Sequence, residues 1–126
     1  LLGEDDDPNV RAEAANALAS YGVERSWPLL QTAFSADGAW LVRCSILSAL
    51  AEQPEIKLTW LLELAQMAIT DADGTVRVSG AEILGRIVRD GIAQPIGAEA
   101  RALLQPLQQD VDHRVVAAAL NGLQIS

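Results

Sequence analysis

The chain has 126 residues, half of them apolar, a formal net charge of −8 and a single cysteine, Cys44. That length suits one domain with enough apolar material for a core, and there is no uninterrupted apolar run of about 18 residues to form a membrane span. The acidic balance argues against a nucleic-acid groove, which needs clustered Lys and Arg; one cysteine excludes a disulfide scaffold and makes a reducing cytoplasm the expected setting.

Leu1-Leu2-Gly3 reads as the tail of a preceding helix, so the chain is expected to be a piece of a longer repeat protein. The acidic run Glu4-Asp5-Asp6-Asp7 follows. It lacks the alternating ligands and turn glycine of a calcium loop. It precedes a helix, whose positive dipole end favours acids, so a solvated turn is the better reading. Asp7-Pro8 then starts a helix over 8–20, with an acceptor at the N-cap and Pro at the first helical position. Gly22 follows where a left-handed C′ residue is wanted. Ser26-Trp27-Pro28 starts a short helix ending near Ser35.

Helices are predicted over 40–52 and over 57–70, the second carrying Leu58, Leu61, Leu62 and Leu64. Asp73-Gly74 starts a helix over 74–90, followed by Gly91 as a second C′ residue. A helix near 98–109 contains Pro106, which shortens or kinks its last turn. Asp112-His113 starts the last helix, over 113–124. No segment alternates strictly enough to be a strand.

Four of these helices share a register. Val10/Leu18, Val42/Leu50, Val76/Leu84 and Val115/Leu123 each place a Leu eight residues after a Val, and the Val-to-Val spacings are 32, 34 and 39. Apolar positions at zero, four or five, and eight form one stripe on a helix. A period of this size marks a repeat architecture. The expected fold class is all-α, a solenoid of antiparallel helix pairs in one domain over 1–126, with about three and a half repeats.

Asp7-Pro8-Asn9-Val10-Arg11 and Asp73-Gly74-Thr75-Val76-Arg77 resemble the Asp-Pro-x-Val-Arg signature of HEAT repeats. The Ala-rich second helices look most like the HEAT-like repeats of cyanobacterial phycobilin lyases. The second unit departs from the signature, with Ala39 for Asp and Trp40 for Pro; the fourth has Val116 for Arg. The resemblance implies a right-handed α–α superhelix whose Val-bearing helices line a concave, partner-binding side. It also implies a polar ladder between the signature Asp and Arg of successive repeats, complete only at units one and three.

On that inner side the candidate partner contacts are Glu13, Asn16, Trp40, Ser45, Ser48, Ser79, Glu82 and Arg86. Trp40 is either an exposed anchor or an indole folded over the Asp37-Gly38 turn, the second being favoured for a large ring. Trp27 and Trp60 are expected to pack between repeats. Cys44 is expected to be a half-buried structural thiol, and His113 to face solvent. One His and no paired carboxylates leave no basis for a metal centre or catalytic residues. The expected function is a non-catalytic, cytoplasmic protein-interaction scaffold without cofactor, nucleic acid or membrane, open to association through its N-terminal repeat face. The alternative implied by the resemblance is a bilin lyase or lyase-like factor acting on phycobiliproteins, with Arg86 and Arg89 for the pigment propionates.

Overall fold

The computed structural model describes residues 7–54 and 56–124. The Leu1-Leu2-Gly3 segment and Glu4, Asp5 and Asp6 of the acidic run lie outside them. Among the described residues all regular structure is helical: α1 (Pro8–Ala19), α2 (Val23–Ala36), α3 (Trp40–Ala51), α4 (Leu58–Ala68), α5 (Gly74–Asp90), α6 (Pro95–Leu104), a 3₁₀ segment (Gln105–Gln109) and α7 (His113–Leu123). The architecture is all-α and HEAT-like. No helix is long and apolar enough to cross a membrane. The chain divides into two compact units, Leu1–Ile56 and Lys57–Ser126. In the first, α2 connects α1 to α3, which pack together; in the second, α5 packs against α4, α6 and α7.

The four Val-bearing helices begin where the caps predict. Asp7, Asp73 and Asp112 each accept, through Oδ1, the backbone N–H two residues on, at 2.8–2.9 Å. This satisfies a donor that the first helical turn leaves orphaned. α3 has Ala39 at that place and no side-chain cap.

The connecting helices depart more from the sequence reading. α2 starts at Val23, not at Ser26, and Pro28 lies inside it. Pro28 removes one helical hydrogen bond, to the carbonyl of Glu24, and both residues are exposed. The early start is possible because Gly22 has φ +119°, which lets one residue end α1's turn and open α2. Ser26 is fully buried, and its hydroxyl donates to the Gly22 carbonyl at 2.8 Å. α6 starts at Pro95, earlier than expected, and Pro106 converts its last turn to 3₁₀.

Gly91 is not left-handed: its φ is −102°. A Cβ there would lie 2.9 Å from both the Ile87 carbonyl oxygen and Ile96 Cγ2, so close approach, not backbone hand, requires glycine. Ala93 takes the positive φ in this connection, at 65°.

The core stripe holds in α3 and α5, loosens along α7 and fails at the start of α1. Val42, Val76, Val115, Leu50 and Leu84 are buried, Leu18 and Leu123 are half-buried, and Val10 is 44% exposed. α1 instead buries Ala12, Ala15 and Ala19. Among the described residues no Val-bearing helix precedes α1 to cover Val10.

Candidate partner-binding surface

The geometry of the first unit's surface is set by a charged clasp between α1 and the turn before α3. Arg11 Nε donates to Asp37 Oδ2 at 2.8 Å, and its Nη2 donates to Asp37 Oδ1 at 3.1 Å. Arg77 repeats this on Asp110 in the second unit, at 2.9 and 3.1 Å. A bidentate guanidinium–carboxylate pair is planar and directional, so it fixes register as well as distance.

The acceptors correct the sequence reading of the ladder. Arg11 and Arg77 do reach forward to the next repeat, but to an Asp five residues before its Val, not to the signature position three before. Those earlier acids also shape their own turns: Oδ1 of Asp37, Asp71 and Asp110 each accepts the N–H two residues on, at 2.8–2.9 Å. The signature Asp caps its own helix instead. The signature Arg additionally ties its helix to the preceding turn: Arg77 Nη1 donates to the Asp71 carbonyl, and Arg43 Nη1 to the Asp37 carbonyl, both at 2.9 Å.

Burial of Asp37 by itself would raise its carboxyl pKa; the hydrogen bonds from Arg11 and Ala39 and the charges of Arg11 and Arg43 outweigh it, and the net shift is down. Asp110 is lowered by its Arg77 bond, against the cost of burial. In the fourth unit Val116 stands in the Arg slot. There Arg114 turns to Asp112 at 2.7 Å, and its side-chain and backbone hydrogen bonds pull that carboxyl down to about 2.

On the clasped scaffold, three of the predicted contacts come together. Asn16, Ser45 and Ser48 line a shallow depression of about 490 Å³ in the first unit, with Ser20, Cys44, Glu52 and Gln53. Cys44 is half-buried, as expected for a structural thiol. Sequence reasoning missed Gln53, which lies past the end of α3 and outside its helical rows. Glu13 is exposed on α1 but does not line the depression.

Trp40 stands at the first residue of α3 and is 47% exposed. It precedes the buried Val42 by two residues. Trp27, by contrast, is buried at 9%, and Trp60 is half-buried with Lys57 Nζ 5.0 Å from its ring centre.

Ser79, Glu82 and Arg86 lie on α5 in the second unit. Ser79 is half-buried and donates to the Thr75 carbonyl at 3.3 Å, while Glu82 is exposed. Arg86 and Arg89 both lie 3.4 Å from Asp90, so the small basic patch is shared with a carboxylate. His113 faces solvent. A second groove, of about 630 Å³, lies between the starts of α4 and α6, with Leu58, Leu62, Pro95 and Ile96 flanked by Lys57, Glu63 and Glu99. The Leu58/Leu62 pair at helical spacing was its only trace in the sequence. Among the described residues no group of three His, Cys, Asp or Glu side chains is placed to hold a metal ion. The hydroxyls, amides, carboxylates and indole of these surfaces can form hydrogen bonds and apolar contacts.

No curated protein and no solved structure matches the chain. A family model described as HEAT repeats matches residues 1–52, the stretch that contains α1, α2, α3 and the Arg11–Asp37 clasp, and supports a HEAT-like repeat family for this protein.

Proposed function

We propose that this chain is a non-catalytic protein-interaction module. The observation that carries this reading is Trp40, a large amphipathic ring held on a rigid helix start with about half its surface in water. Trp is the side chain most enriched among the few residues that dominate interface energies. The depression lined by Asn16, Ser45 and Ser48 lets a partner backbone or helix approach closely. HEAT repeats are commonly protein-interaction scaffolds, and we assign Glu13, Ser79, Glu82 and Arg86 to the same partner-facing role. The setting is the cytoplasm, in keeping with the single cysteine.

The test is affinity purification of the intact parent protein beside Trp40→Ala and Ser48→Arg variants, with Leu29→Ala, also exposed but on α2, as the control. Loss of the same partner in both test variants, with unchanged melting, supports the module; retention in both sinks it. The bilin-lyase alternative rests on resemblance, and its propionate-binding candidates, Arg86 and Arg89, already share Asp90. A shift in phycocyanobilin absorbance on mixing with the parent protein would favour it.

A further inference from the structure

The C-terminal ends of α1 and α3 meet at the depression of the first unit. Ser20, which ends α1, and Glu52, which ends α3, both line it, with Gln53 directly after. A helix C-terminus carries partial negative charge, so a cation near its last turn is stabilised. Neither α1 nor α3 has a basic residue in its last turn. Among the described residues that line the depression none is Lys, Arg or His, and Glu52 is the one charged group. The second unit is built otherwise. α5 has Arg89 in its last turn, and the end of α7 receives Arg101 from α6, whose Nη1 donates to the Leu123 carbonyl at 2.9 Å.

The lining is also rich in acceptors. Gln53 Nε2 donates to the Ala49 carbonyl at 3.2 Å and the Ser20 hydroxyl to the Ala17 carbonyl at 2.6 Å, which leaves Gln53 Oε1 and Ser20 Oγ to accept. Asn16, Ser45 and Ser48 add an amide oxygen and two hydroxyls, and Glu52 adds its carboxylate. A guanidinium is the complement of such a set: it is cationic, with a planar fork of N–H donors and no acceptor.

We propose that this depression holds an Arg side chain presented by a protein partner. Glu52 pairs with the guanidinium, the ends of α1 and α3 add their partial charge, and Ser45, Ser48 and Gln53 take its remaining N–H groups. A volume of about 490 Å³ admits the side chain together with the backbone that carries it. The assignment deepens, and rests on, the reading of the chain as a partner-binding module.

Short blocked peptides of Ala and Ser with Arg, Gln or Glu at the centre test this by NMR titration of the isotope-labelled chain. The Arg peptide is expected to shift the amide signals of Ser45, Ser48 and Gln53, and to do so more weakly as salt rises. Glu52→Gln is expected to weaken its binding about five-fold, the upper end for an exposed ion pair. Glu52 is exposed, so the melting midpoint is expected to stay unchanged. The Gln and Glu peptides are expected to leave those signals in place. Equal shifts from all three peptides, no shift from any, or an Arg response that survives Glu52→Gln overturns the proposal. So does a dimer of the chain, seen by sedimentation, that Glu52→Lys abolishes, since the occupant is then a second copy. In affinity purification, a partner lost with Trp40→Ala but kept with Glu52→Lys removes the Arg assignment and leaves the module standing.

Discussion

The first and second units share their clasp and differ in their joint. Arg11–Asp37 and Arg77–Asp110 match within 0.1 Å in both contacts. At the helix crossing the residues nine and seven from the Val are Ala19 and Ala49 in the first unit and Gly85 and Gly122 in the second. The clasp geometry therefore does not depend on which small residue stands at those positions. A Cβ on Gly122 would lie 3.2 Å from Gly85 Cα and 2.7 Å from Leu104 Cδ1, so the second unit must give way to admit a methyl there.

Gly122→Val is expected to give the largest effect, about 3 kcal/mol of destabilisation in urea melts, because overpacking a tight crossing forces backbone shifts. Ala49→Gly in the first unit is expected to cost only about 1 kcal/mol, through helix propensity. Similar losses from the two substitutions would break the distinction between the joints.

Asp37→Asn and Asp110→Asn are each expected to cost about 2 kcal/mol, less than a fully buried pair because these side chains keep some contact with water. Matching losses confirm that one device serves both units; a clear inequality would show that context, not clasp geometry, sets the contribution.

Acid sharpens the same comparison. Both clasp carboxyls have folded pKa values below the ordinary 3.8. Their contribution is complete above that value and is lost as pH falls through the lowered one, since the unfolded chain binds the proton first. Asp112, at about 2, extends the loss further down. Urea midpoints taken between about pH 5 and pH 2 should fall more steeply in the native chain than in Asp37→Asn, whose clasp no longer titrates.

The smallest expected effect is a gain. α3 alone among the Val-bearing helices lacks an Asp cap, so Ala39→Asp is expected to add about 0.5–1 kcal/mol. No gain in the melting midpoint would mean that Asp37, whose Oδ1 already holds the Ala39 N–H, has organised that turn fully.

The sequence by itself determined the all-α class and all four Val-bearing helices to within a residue at each end, because capping and helical periodicity are local. It located Asn16, Ser45 and Ser48 on one surface for the same reason. It misplaced the start of α2, because Gly22 works as the end of one helix and the start of the next. Only the tertiary structure decided the rest. The Arg partners lie 26 and 33 residues away, and Asp110 and Asp112 both stand near the turn that Arg77 reaches, so spacing alone could not choose between them. Val10 and Trp40 have side chains as apolar as Val42 and Trp27. What separates exposed from buried is whether another helix lies against them, and that depends on how distant segments pack.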